Sequence, residues 1–179
     1  DLSSLGLEEI SGLVGFSRLR YLNLDGNKLT SLTALSSCVT LEELSVERNQ
    51  LSDVNGLELL EGLQHLDAGH NNIMDVGALQ KMASLTHVAA EDNYLDSLDI
   101  FASMPNLTEL YLSSNLLEDM RAVLMLKQLS RLVVLDLSGN SLCNAADYRL
   151  YTIFHLKRLK VLDGAVIAQP ELHESEEKL

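Results

Sequence analysis

Leucines recur along most of the chain in blocks of the form L-x-x-L-x-L-x-x-N-x-L, and the first block, over residues 19–29, reads LRYLNLDGNKL. Within each block, apolar positions alternate with polar ones, which predicts a short strand with one buried side. Between blocks the apolar residues instead recur every third position, as at Leu51, Val54, Leu57 and Leu60. Because side chains three residues apart eclipse in a 3₁₀-helix, this second period predicts short 3₁₀ turns.

The blocks share an asparagine near their end. The first five of these asparagines are spaced by 22 residues, and the sixth follows after 25. Where a strand ends and the chain turns, backbone N–H and C=O groups are left without partners, and a buried amide side chain supplies both a donor and an acceptor. We therefore predict a structural role for this asparagine ladder, which consists of Asn27, Asn49, Asn71, Asn93, Asn115 and Asn140.

A 22-residue unit with this pattern is identified as a leucine-rich repeat, at the short end of the family's range. The predicted fold class is α/β: a curved right-handed solenoid with a parallel sheet on the concave face and 3₁₀ or short helices on the convex face. We divide the chain into an N-terminal half repeat or cap (1–18), six repeats (19–140), a C-terminal cap (141–164) and an acidic tail or linker (165–179).

Several positions depart from the regular repeat. The N-terminal half repeat has Leu5 where the asparagine belongs, so its strand should be degenerate or missing. In the longer fifth repeat, Ala122, Leu126 and Leu129 follow helical spacing and predict a short α-helix. Cys38 falls in a column that otherwise holds leucine or methionine, so we expect a buried apolar side chain there and not a reactive thiol.

Charge and composition narrow the choice of partner and compartment. The net charge of -13 disfavours binding to DNA or RNA phosphates and favours a basic protein partner. Secreted leucine-rich repeat proteins usually carry cysteine-rich flanks, which Cys38 and Cys143 do not form, so a reducing compartment is expected. No apolar run has the length of a membrane span, and no catalytic motif is present, so we expect neither a membrane span nor an enzyme. The chain begins in mid-repeat without Met, and we interpret it as a piece of a longer protein.

The C-terminal region, NSLCNAADYRLYTIFHLKRLKVLDG over residues 140–164, resembles the cap of intracellular leucine-rich repeat proteins of the phosphatase-regulator type. The resemblance rests on Asp147-Tyr148-Arg149, on the apolar residues that follow, and on Asp163-Gly164. Ser141 departs from the pattern, since the family commonly has proline there. We expect the apolar residues to cover the last repeat, and Tyr148 and Arg149 to pair with strand-edge carbonyls. The resemblance implies an intracellular protein, cytoplasmic with a leaning to the cilium or cytoskeleton, and leaves the nucleus open.

Function should lie on the concave face, where the residues between the strand leucines point outward and differ from one repeat to the next. Its middle is acidic, and its C-terminal half carries side chains expected to be exposed and apolar, a combination that protein hot spots use. Tyr94 and Tyr111 are the best single candidates. The predicted partner-binding residues are Tyr21, Glu43, His65, Asp67, His87, Glu91, Tyr94, Glu109, Tyr111, Leu116 and Val134.

One column on this face has metal-ligand chemistry: Glu43, His65, His87 and Glu109. Two imidazoles and a carboxylate are zinc ligands, but an open face lacks enclosure and no supporting residues could be identified. We therefore expect no metal and no cofactor, and favour a pH-sensitive contact in which the two imidazoles titrate inside an acidic field.

The sequence thus predicts a scaffold, monomeric in isolation, that holds a basic or mixed segment of another protein. The alternatives are a regulatory subunit that docks a phosphatase or a motor, a structural spacer within a multidomain protein, and a ribonucleoprotein component that resembles the A-prime protein of a spliceosomal particle.

Overall fold

In the computed structural model, which describes residues 1–179, the chain forms a solenoid built on one sheet of eight strands that follow each other in chain order. Seven strands are parallel, and the last is antiparallel to its neighbour. This architecture confirms the predicted α/β leucine-rich repeat solenoid. The strands are β1 Tyr21–Asn23, β2 Glu43–Ser45, β3 His65–Asp67, β4 His87–Ala89, β5 Glu109–Tyr111, β6 Val134–Asp136, β7 Val161–Leu162 and β8 Ala165–Val166.

The opposite, convex side consists mainly of turns and short helices. The residues predicted to recur in threes, Leu51, Val54, Leu57 and Leu60, are all fully buried, and so is Cys38. One continuous apolar core therefore runs between the sheet and the convex side, and each repeat covers the next. The 3₁₀-helices are Leu13–Gly15, Thr33–Ser37, Gly77–Lys81, Met120–Gln128 and Ser141–Asn144, and a one-turn α-helix, α1, spans Asp99–Ala102.

The α-helix predicted in the fifth repeat is wrong. The segment is the 3₁₀-helix Met120–Gln128, and it buries Val123 and Leu126, with Leu129 directly after it. These three residues recur every third position, the period that lies on one side of a 3₁₀-helix. Ala122, on which the helical spacing depended, is only half-buried.

Every asparagine of the ladder is buried, with 2–7% of its surface exposed. The Asn71 side chain shows the pattern: its Oδ1 accepts the N–H of Leu51 at 3.1 Å, and its Nδ2 donates to the carbonyl of Val46 at 3.0 Å in the preceding repeat. The same amide also donates to two carbonyls of its own repeat. Each asparagine therefore both closes its own turn and joins two repeats, as the sequence predicted.

The residue before each ladder asparagine has a left-handed backbone, with φ between 52° and 73° at Gly26, Arg48, His70, Asp92, Ser114 and Gly139. Four of these residues are not glycine, so the turn imposes a conformation that costs L-residues free energy. Ser4 adopts the same conformation, and its N–H donates to the carbonyl of Asp25. The N-terminal half repeat therefore follows the path of a repeat without forming a strand.

At Gly56 the backbone lies close to the preceding repeat. Its φ is +104°, and a Cβ there would lie 2.5 Å from the Leu32 carbonyl oxygen and 2.6 Å from the Thr33 Cα. Only glycine fits this position, since both neighbours are backbone atoms of the preceding repeat. The leucine pattern gives no sign of this contact.

The C-terminal cap consists of helix α2 (Tyr148–His155), the hairpin of β7 and β8, and helix α3 (Gln169–Lys178). The hairpin turns on Asp163-Gly164, both with positive φ, as expected for an Asp-Gly dipeptide in a two-residue loop. Residues 165–179, predicted as an acidic tail or linker, thus contain strand β8 and helix α3, which packs on the cap.

The two cap residues expected to pair with strand-edge carbonyls behave differently. Arg149 does so, because its Nη1 donates to the carbonyl of Leu162 at 3.0 Å. Its Nε also donates to the Glu171 carboxylate at 2.6 Å, which ties α3 to α2. For Tyr148 the expectation is wrong, since its hydroxyl is buried without a hydrogen-bond partner. Burial, together with the charge of nearby Asp163, raises the pKa of Tyr148 well above its usual value.

None of the helices has the length and apolar composition that crossing a membrane requires.

Candidate interaction site on the concave face

The outward side chains of β1 to β6 form the columns that the repeat spacing predicts. Parallel pairing places Tyr21 beside Glu43, and places His65 between Glu43 and His87. Glu109 and Val134 continue the same column through β5 and β6. The register therefore brings the predicted acidic, imidazole and apolar side chains together on one face.

At the centre of this face lies a histidine–aspartate cluster, which we define as His65, Asp67 and His87 with the adjoining Glu109 and Tyr111. The two imidazole rings stack with centroids 3.7 Å apart and an interplanar angle of 9°. One Asp67 oxygen lies 3.2 Å from Nε2 of His65, and the other lies 3.2 Å from Nε2 of His87. On the far side of His87, Nδ1 lies 3.3 Å from the Glu109 carboxylate, to which the Tyr111 hydroxyl donates at 2.8 Å.

These contacts shift the pKa values within the cluster. Burial alone would lower the pKa of His87, but hydrogen bonding to Asp67 and the charges of Asp67 and Glu109 outweigh it and raise that pKa. Burial would raise the pKa of Asp67, yet the two histidines hold it below its usual value. For Tyr111, burial and the hydrogen bond to Glu109 act together and raise the pKa to about 12. The charge and hydrogen bonds of each of these side chains therefore shift the pKa of its neighbours, so the cluster acts as one electrostatic unit.

Beside the cluster, a second row of carboxylates runs along the ends of the strands. Asp25 accepts hydrogen bonds from the Ser45 hydroxyl at 2.7 Å and from the Glu47 N–H at 2.8 Å. Glu91 lies over Gly69, where an added Cβ would meet its carboxylate carbon at 2.9 Å. Burial, together with the nearby charges of Asp25, Glu91 and Asp67, raises the pKa of Glu47.

Asp25 belongs to this row and Ser45 hydrogen-bonds to it, and neither is among the predicted site residues. Asp25 lies 22 residues before Glu47, and Ser45 lies 22 residues before Asp67. This repeat spacing was the signal that could have found them. One Glu91 oxygen, Oε2, is buried without a hydrogen-bond partner.

The apolar residues divide into two groups. Tyr94 and Leu116 are about half exposed, at 50% and 51%, and occupy equivalent positions in successive repeats. Tyr21 is exposed at 57% at the opposite end of the face. Tyr111 and Val134, which we expected to be exposed, are instead half-buried. Tyr111 tilts against His87, with ring centroids 5.2 Å apart, so it is partly a support for the cluster.

Few cations neutralise this acidic face. Arg48 lies 3.6 Å from Glu47, and the ion pairs made by Asp67 and Glu109 involve histidine alone. Glu43 and Glu91 form no ion pair with lysine or arginine. Glu43 and Glu91 can therefore pair with cations of a basic partner without first breaking a salt bridge to lysine or arginine.

Comparison with protein families places leucine-rich repeats over most of the chain. Residues 96–179 match the family model described as "Leucine-rich repeat", and residues 17–59 match the model described as "Leucine Rich repeats (2 copies)".

Solved structures share the fold at low sequence identity. An internalin from Listeria monocytogenes matches with a TM-score of 0.69 and 20% identity over 90% of this chain. This chain spans 52% of that internalin's length. Internalin C2 from the same organism matches with a TM-score of 0.70 and 21% identity, over 88% of this chain and 76% of its own. The SNF/U2A' complex of Drosophila melanogaster matches with a TM-score of 0.57 and 21% identity, over 98% of this chain and 88% of its own.

Proposed function

Because the chain is a leucine-rich repeat protein, we propose that it is a protein-interaction scaffold whose concave face holds a basic segment of a partner. The observation that carries the proposal is that Glu43 and Glu91 have no lysine or arginine partner and lie on the same face as exposed aromatic and apolar side chains. A face of this kind steers cationic segments by its field and anchors them by apolar burial.

The distribution of charged and apolar side chains favours one direction for a partner segment along the concave face. Glu43 and Glu91 supply charge in the second and fourth repeats, and Tyr94 and Leu116 supply apolar contact in the fourth and fifth. A segment with lysine or arginine at one end and an apolar residue toward the other would match both regions. Tyr94 is the stronger anchor candidate, because Tyr111 is half-buried and hydrogen-bonded to Glu109.

The test is capture of partners from cell extract by the immobilised chain, compared between wild type and a triple variant, Glu43→Lys, Tyr94→Ala and Leu116→Ala. All three side chains are exposed, so the variant should melt within about 2 °C of wild type. We expect it to lose the proteins that wild type captures, and we expect capture by wild type to weaken as salt is raised, since exposed charges are screened.

The matched control reverses one charge and trims one apolar group away from the concave face. Glu61→Lys with Leu59→Ala alters two exposed residues outside the strands, and it should capture the same proteins as wild type. Retention of the full set by the triple variant, or equal loss by both variants, would show that the concave face is not the binding surface.

The alternatives predict different outcomes of the same experiment. A structural spacer would capture nothing even as wild type. A regulatory subunit would capture a phosphatase or a motor, and a setting in the cilium or cytoskeleton would appear in the identity of the captured proteins. A ribonucleoprotein component would capture proteins of such a particle, an outcome given weight by the likeness to a chain solved in the SNF/U2A' complex.

A further inference from the structure

The histidine–aspartate cluster has a geometry that the sequence did not predict. From the sequence we expected no metal, since the face is open and no supporting residues could be identified. In the structure, one donor atom each from His65, Asp67 and His87 lies within 4.8 Å of the other two. The register explains this proximity: His65 and His87 are direct partners across β3 and β4, and Asp67 follows His65 on the same face of β3.

We propose that His65, Asp67 and His87 bind one divalent transition-metal ion, with Zn²⁺ as the ion that fits best. Each Nε2 lies 3.2 Å from an oxygen of Asp67. With Zn–N and Zn–O bonds of about 2.0–2.2 Å, two ligands of a tetrahedral zinc ion are themselves about 3.3–3.5 Å apart. The donor atoms are therefore close to the spacing that coordination requires. The two imidazole rings are parallel in the stack, so the more exposed His65 ring must rotate out of it for both Nε2 lone pairs to point at one ion.

The supporting residues that the sequence left unidentified are Glu109 and Tyr111. A histidine that binds a metal commonly directs its other ring nitrogen at a carboxylate, which fixes the ring and its tautomer. His87 does so, because its Nδ1 faces the Glu109 carboxylate at 3.3 Å while its Nε2 faces Asp67. Tyr111 in turn donates to that carboxylate at 2.8 Å. This chain of contacts orients His87 independently of any ion.

The donor set also selects the class of metal. Two imidazoles and one carboxylate suit Zn²⁺ and neighbouring transition ions and are too few and too nitrogen-rich for Ca²⁺ or Mg²⁺. Three protein donors leave a fourth position for water or for a donor from another molecule. The side chains of His65, Asp67 and His87 are 37%, 29% and 19% exposed, so an ion can enter from the open face.

The test is isothermal titration calorimetry of chelator-treated, desalted chain with ZnCl₂, together with the visible absorption of the Co²⁺-loaded protein. We expect one saturable Zn²⁺ per chain and Co²⁺ bands of a low-coordinate site. His87→Gln and Asp67→Asn should each lose this binding. Glu109→Gln, which alters only the support, should weaken Zn²⁺ affinity about 10–100-fold.

The protein supplies a matched control in His70, whose Nδ1 lies 2.8 Å from Asp92 but which has no third donor nearby. His70→Gln should bind Zn²⁺ as wild type does, and apo variants should melt like the wild-type apo protein. Absence of saturable binding in wild type would overturn the proposal. So would equal losses in His70→Gln and His87→Gln, since that result would mean Asp67 simply hydrogen-bonds two imidazoles and Zn²⁺ binds the surface at large.

Discussion

Replacing Asn71 with alanine removes hydrogen bonds to the Leu51 N–H and to three carbonyls, those of Val46, Ala68 and Gly69. The carbonyls each keep a second donor, from a neighbouring ladder asparagine or from a backbone N–H. The Leu51 N–H keeps none. The expected loss in the free energy of unfolding is therefore that of one orphaned buried donor, about 1–3 kcal/mol, and not the sum over all the bonds.

Urea and thermal unfolding followed by circular dichroism would measure this loss. For a chain of this size, about 1–3 kcal/mol corresponds to a fall in Tm of roughly 2–12 °C. The neighbouring Asn72 is exposed, so Asn72→Ala should change stability by less than about 0.5 kcal/mol. Asn27→Ala should cost less than Asn71→Ala, because Asn27 bonds the partly buried N-terminal half repeat, where water can replace the amide.

Two results would refute this reasoning. If Asn71→Ala were no more harmful than Asn72→Ala, the ladder would not stabilise the turns. A loss well above about 4 kcal/mol would show that the carbonyls depend on Asn71 alone and do not share donors.

Other predictions follow from single contacts. Gly56→Ala should lower stability by about 2 kcal/mol or more, because Cβ would strike the preceding repeat, while Gly62→Ala, with room for a Cβ, should be near neutral in the same melts. Arg149 lowers the pKa of Glu171, so the stability of α3 docking is present above the ordinary glutamate pKa and is lost as the pH falls through the lowered one. Amide hydrogen exchange of α3 against pH should show that loss, and Arg149→Gln should remove the pH dependence. Tyr148→Phe should leave stability unchanged or slightly higher, since the hydroxyl has no partner, and a loss above about 1 kcal/mol would reveal a hydrogen bond.

The fold could be predicted because its determinants repeat. An apolar residue at each inward position leaves a single register that buries all of them, and this register also fixes which outward residues are neighbours. His65 and His87 could thus be placed side by side from their 22-residue spacing alone, as the pairing of β3 and β4 confirms.

Prediction failed where one local pattern competed with another or where rotamers decide. Residues 120–129 contain apolar residues at both three- and four-residue spacing, and the three-residue set, Val123, Leu126 and Leu129, is the one that is buried. Tyr111 was expected to be exposed, but its hydroxyl reaches Glu109 and its ring lies against His87. The contact at Gly56 depends on the distance between two backbones, which no side-chain pattern encodes.

The side-chain conformations that the sequence did not predict matter for the proposed function, because side chains on the concave face hold one another in place. Asp67 is held by two imidazoles, Glu109 by Tyr111 and His87, and Asp25 by Ser45. Side chains fixed in this way lose little conformational entropy when a ligand binds, so the proposed partner would meet charges already in position. The acids with no such contacts, Glu43 above all, remain free to adapt. The proposed binding surface would therefore have a rigid centre and an adaptable rim, because each column contains different neighbours.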